Sequence, residues 1–137
     1  MNNGKSYYDI AERDYQYFMQ YKNMIHPDYN NPLAIQAQQI VEKLLKHIIE
    51  CYCQEEDPRE ILRSHKLQSI YLTINRIHPE FQLNRNDLLF LSSFYYDARY
   101  PGVDFIMVNE EDAIRCVQIV EEVKVVVDEF IENKKKQ

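Results

Sequence analysis

The sequence predicts an all-α protein: an antiparallel up-and-down bundle of four to five helices in one domain over residues 1–137. Three observations carry that expectation. Apolar residues recur every three to four positions along most of the chain, the periodicity of helices that bury one face. Ser, Asn or Asp opens several of these segments, where a side-chain oxygen can accept an unpaired backbone N–H. Only two glycines and five prolines occur. Connections are therefore brief, and the apolar stripes can be hidden only against one another.

The first helix is predicted to start after Ser6, with Asp9 in its first turn and Tyr8, Ala11, Tyr15 and Phe18 on its buried face. It ends near Lys22 or Asn23, and Met24 to Asn31 forms a loop. Asn31-Pro32 resembles an N-cap followed by proline at the first helical position, opening a long second helix. Ala37, Val41, Leu44, Ile48 and Tyr52 give that helix a stripe, widened by Ile40 and Leu45, while Lys43, Lys46 and Glu50 are expected to face water. The acidic turn Gln54 to Asp57 closes it. Asp57-Pro58, with Glu60 following, starts a short helix ending near Arg63.

Ser64 is positioned to cap the next helix, whose stripe of Leu67, Ile70, Tyr71 and Ile74 stops before Pro79 because proline disfavours helical geometry in its predecessor. Another helix runs from Asn84 through Leu88, Leu91, Tyr95 and Ala98 to Pro101. The apolar Val103, Phe105, Ile106 and Val108 imply that the following connection packs on the bundle. Asn109 then caps the last helix, with Glu110, Glu111 and Asp112 favourable in its first turn. Val123-Lys124-Val125-Val126-Val127 has strand propensity. The 3-to-4 spacing of Ala113, Val117, Val120, Val123, Val127 and Phe130 across it, and lysines 134 to 136 at its end, make it helix.

Composition limits function. Apolar residues are 45% of the chain and charged residues 28%, the balance of a folded helical protein, and a chain this long buries about 65 to 70% of its unfolded surface. No apolar run is long enough for a signal core or a bilayer span, so a cytoplasmic location without membrane contact is expected. The three cysteines need no disulfide partner in a reducing compartment. Cys51 and Cys53 lie about 200° apart around a helix, and Cys116 and the four histidines lack paired ligand spacings. Neither a metal site nor a cofactor is expected.

The net charge of −6 argues against a protein that coats nucleic acid generally. Acids crowd the last third, whereas Arg59, Arg63, Lys66, Arg76, Arg85 and Arg99 mark the middle as the part able to face an anion. Within it, Tyr95-Tyr96-Asp97-Ala98-Arg99-Tyr100-Pro101-Gly102 combines a helix stop with an arginine and three tyrosines. Arg99 suits the negative end of a helix dipole. Asp97 does not, and a compensating cation is expected beside it. Tyr96 and Tyr100 lie one turn apart and can line one groove, with Arg99 on a phosphate and a ring under a base; bundle core and ion pairing are the structural alternative.

The run Gln38-Gln39-Ile40-Val41-Glu42-Lys43-Leu44-Leu45-Lys46, then Ser64-His65-Lys66-Leu67, then Tyr95 to Pro101 before a final amphipathic helix, resembles the HEPN domain family, the higher-eukaryote and prokaryote nucleotide-binding domains. The resemblance implies an all-α bundle that commonly dimerises and often partners small nucleotidyltransferases. Several branches are metal-independent RNases in toxin–antitoxin, CRISPR and other defence systems. Those branches carry an Arg and a His four to six residues apart, and here Arg59 and His65 have that spacing. Histidine moves a proton near neutral pH, and arginine stabilises a phosphorane-like charge while the 2′-hydroxyl attacks. Lys66 stands where the family often has a carboxylate, and the structural alternative places His65 as a cap or packing residue.

Three functions follow as expectations. The first is a homodimeric module that binds nucleotide or RNA, through Arg63, Lys66, Tyr96, Arg99 and Tyr100, or a nucleotidyltransferase partner. The second is a metal-independent endoribonuclease using Arg59 and His65. The third is a scaffold whose acidic last helix docks a basic protein. Ile49 and Ile114, off the main apolar faces, are candidates to cover a partner. No Gly-rich phosphate loop, supported carboxylate pair or Ser-His-Asp set is present.

Overall fold

The computed structural model describes residues 6–55 and 57–137, so Glu56 of the acidic turn lies outside the described residues. Every regular element among them is helical. Ser6 Oγ accepts the Asp9 amide at 3.1 Å and opens α1 (Tyr7–Tyr21). The central rod is α2 (Asn30–Tyr52), which packs against α1 and against the later helices α4 to α7. Leu33, Ala37, Ile40, Val41, Leu44, Leu45, Ile48 and Ile49 are all buried along it. A helix apolar over so much of its circumference must be enclosed. Ile49 is therefore monomer core and does not await a partner, whereas Ile114 is 40% exposed.

The remaining elements are α3 (Arg59–Leu62), α4 (Leu67–Ile77), α5 (Arg85–Ser92), α6 (Phe94–Asp97) and α7 (Glu110–Lys135). Asn109 caps α7 through the Asp112 amide at 2.8 Å, and Val123 to Val127 lie within its helix as the spacing requires. Ring and hydrogen-bond contacts fix the directions. Tyr8 meets His47 and Tyr21 meets Gln36, so α1 runs antiparallel to α2. The His65 carbonyl meets Gln38 and the His78 ring meets the Tyr52 carbonyl, so α4 runs the same way as α2. Strict alternation is broken only there, because residues 53–66, helical for the single turn of α3, carry the chain back along the bundle. The α5–α6 arm returns antiparallel to α4, and α7 rises beside α2, from Asn30 near Val108 to Tyr52 near Phe130.

Four local expectations are corrected. Asn31 is not the cap of α2, which begins one residue earlier; its side chain reaches across the bundle instead. Asn31 Nδ2 donates to the Ala98 and Ile106 carbonyls at 3.1 and 2.8 Å, and its Oδ1 accepts the Val108 amide at 2.8 Å. The helix predicted from Asn84 to Ala98 breaks at Ser93, whose hydroxyl donates to the Phe90 carbonyl at 2.7 Å, a bond that bends helices. Of the 102–108 connection only Val108 and, partly, Ile106 pack on the core; Val103 is fully exposed and Phe105 is 41% exposed. The Asn31 clamp holds the feet of this loop and leaves its tip outside. Lys46, expected in water, is buried. No helix among the described residues is long and apolar enough to cross a membrane.

Candidate functional site

Glu42 stands on the α2 face that α4 approaches, with Gln38 and Lys46 one turn to either side. Its carboxylate accepts hydrogen bonds from Lys46 Nζ at 2.9 Å, Gln38 Nε2 at 3.0 Å and His65 Nδ1 at 3.1 Å. The side chains of Glu42 and Lys46 are only 12% and 5% exposed. Charges this deep persist when each has a partner and further hydrogen bonds. His65 lies in the turn before α4, held there because Ser64 Oγ accepts the Lys66 amide and Ser92 Oγ accepts the Leu67 amide. Ser64 thus braces the turn while Lys66 occupies the cap position.

The Glu42 contact assigns the imidazole proton to Nδ1 and leaves Nε2 as the acceptor of the neutral ring. Tyr95 stacks on that ring, with centroids 4.0 Å apart and planes inclined by 13°. Its hydroxyl is 3.1 Å from Nε2. In parallel rings that places the hydroxyl above the imidazole face and leaves the in-plane Nε2 lone pair directed elsewhere. The His65 side chain is 37% exposed and opens on a cleft of about 450 Å³. Arg63, Lys66, Tyr96 and Asp97 line the same cleft. Arg63 and Lys66 are exposed and have no ion-pair partner among the described residues.

A family model for the HEPN domain matches residues 5–130. The chain belongs to the HEPN domain family. No curated protein and no solved structure matches the chain. The nearly full-length match agrees with the all-helical bundle.

Of the residues the sequence singled out in this HEPN domain, Arg63, His65, Lys66 and Tyr96 share one cleft. Arg99 adjoins it, its guanidinium 4.8 Å from the Tyr95 ring centroid and 5.5 Å from that of Tyr100. Tyr96 and Tyr100 are 61% and 53% exposed, with ring centroids 6.4 Å apart. Arg59 does not line the cleft. Its guanidinium pairs bidentately with Asp57, at 2.6 to 3.0 Å, and holds that carboxyl below its usual range. The partner two residues away wins because closing so short a loop costs little entropy.

Asp97 corrects another expectation, for no ion pair reaches it among the described residues. Arg99 covers tyrosine rings instead. α6 is a single turn, so the dipole that would oppose the carboxylate is small. The parts missed as site residues are Glu42 and Lys46; Tyr95 belonged to the tyrosine cluster that the sequence singled out, and its stacking on His65 is the new fact. Gln38, Glu42 and Lys46 form a polar row at four-residue spacing, but with Gln39, Lys43, His47 and Glu50 on the same helix the row reads as a solvent face until α4 is seen to cover it.

Proposed function

We propose that this HEPN domain binds nucleotide or RNA in the cleft beside His65, as a homodimeric module. One observation carries the reading: two exposed cations, Arg63 and Lys66, flank an imidazole anchored by Glu42 in a protein whose net charge is −6. Arg63 and Lys66 take the phosphates, and the exposed Tyr96 and Tyr100 offer faces for bases, a contact worth about 1 to 3 kcal/mol per stacked base. Arg99, resting on Tyr95 and Tyr100, stiffens that platform. A nucleotidyltransferase-type protein is the partner class that family membership favours.

Titration of labelled ATP and of a short labelled RNA, followed by anisotropy, tests the assignment. Saturable binding should weaken at least about tenfold in Arg63→Ala/Lys66→Ala and in Arg99→Ala, and stay unchanged in the exposed control Glu132→Ala. Absence of saturable binding of both ligands would remove the reading and favour the scaffold. Light scattering of the same samples reports the dimer.

The Glu42–His65 contact favours a second reading, a metal-independent endoribonuclease. Nε2 takes the 2′-hydroxyl proton, the 2′-oxygen attacks phosphorus to close a 2′,3′-cyclic phosphate, and the P–O5′ bond breaks as the departing 5′-oxygen takes a proton from water. Charge stabilisation falls to Arg63, Lys66 or Arg99, since Arg59 is engaged elsewhere. RNA cut in EDTA by the wild type, and not by His65→Ala, would support this reading; RNA left intact by the wild type excludes it.

A further inference from the structure

A second groove lies between α5 and α7, sharing no lining residue with the His65 cleft. Leu83, Leu88, Ile119, Val123, Val125 and Val126 form its walls, around about 540 Å³. Its rim is acidic. Asp87 is engaged by Arg115 at 3.2 Å and Glu121 by Lys22 at 2.9 Å. Glu122 is exposed and has no ion-pair partner among the described residues. On α7, Glu122, Val125 and Glu129 follow one another three and four positions apart, so they share a face, with a 55% exposed aliphatic side chain between two exposed carboxylates.

We propose that this groove docks an amphipathic helix of a second protein, aliphatic on the inserted face and rich in lysine or arginine along its edges. The walls contributed by α7 run from Ile119 to Val126, about 10 Å of helix, which suits anchors at i, i+3 or i+4, and i+7 of an incoming helix. The exposed carboxylates of Glu122 and Glu129 select its charge. A second copy of this chain is the wrong occupant, because a two-fold axis through the groove sets the Glu122 and Glu129 faces of the two copies against each other. A basic helix meets the same carboxylates with the opposite sign.

The probe is a fluorescein-labelled synthetic helix of about four turns, with leucines at helical spacing and lysines elsewhere, beside a scrambled peptide of equal composition. The full chain should bind the patterned peptide saturably and the scrambled one at least about tenfold more weakly. Val125→Lys, a change at an exposed position the fold tolerates, and Glu122→Lys/Glu129→Lys should each weaken binding by a similar factor, while Arg63→Ala leaves it unchanged. No saturable binding, equal binding of the scrambled peptide, or full affinity in Val125→Lys overturns the proposal. So does conversion of a dimer to a monomer by Val125→Lys, which would make the groove a self-interface. ATP and RNA titrations of Val125→Lys keep this outcome separate from that of the His65 cleft.

Discussion

Glu42 shows how one largely shielded carboxylate can order its surroundings. It sits between a lysine that is 5% exposed and an imidazole whose orientation it sets, and neither neighbour has another carboxylate contact among the described residues. Removing its charge leaves Lys46 buried without a counter-ion. We predict that Glu42→Gln costs about 3 kcal/mol in urea unfolding, the order of magnitude for breaking a buried pair from one side. Adding Lys46→Met should restore most of that loss, because an apolar stem replaces the stranded ammonium. A double mutant no more stable than Glu42→Gln would show that the ion pair is not the cause. This residue was hard to recognise as part of a site because a glutamate in a lysine-bearing helix resembles ordinary surface charge, and only tertiary contact tells whether water or α4 faces it. His65 was legible as a chemical group. Its tautomer was not, since that depends on a residue on another helix.

At the scale of elements, α2 and α7 were legible because their apolar spacing persists over many turns and their burial follows from it. Boundaries were weaker. Asn31-Pro32 carried the local signature of a helix start, yet both amide atoms of Asn31 serve the 98–108 loop, which is distant in sequence. The break at Ser93 was equally hidden, since a serine hydroxyl can turn to solvent or back onto its own helix. The asparagine contacts predict a local effect. Asn31→Ala removes three hydrogen bonds to backbone atoms and should cost about 1 to 2 kcal/mol. Hydrogen exchange should quicken at Val108, the donor to Asn31 Oδ1, while amides in the middle of α4 keep their protection. Unchanged exchange at Val108 would refute the clamp.

For the whole molecule, the fold class was written in periodicity and composition, whereas the parallel run of α2 and α4 was not, because apolar stripes specify burial without direction. Electrostatics acts at this scale too. Burial holds the His47 imidazole below its usual range, with the charge of Lys135 adding to the effect. A depressed histidine is neutral in the fold, so its stabilisation is complete above about pH 6.5 and declines as the unfolded chain binds a proton that the folded chain resists. Glu12 belongs to the knot joining α1 to α7: burial opposes its ionisation, but hydrogen bonds from Lys124 and Gln16 and the lysine charge bring its carboxyl below the ordinary value of 4.5. That contribution is present above about pH 4.5 and lost below it as the carboxylate is protonated. The melting temperature should therefore fall in two stages on acidification, and His47→Gln should flatten the first, which sets in as the pH falls through about 6.5. An unaltered slope in that variant would assign the stage to another group.

Both feet of the loop between α6 and α7 are fastened to the first turn of α2, and its crown stands clear of the framework. Mutational drift at Val103 or Phe105 therefore disturbs little underneath. Among descendants of this chain, the crown can be re-lettered or lengthened to suit new neighbours while the scaffold beneath is inherited intact.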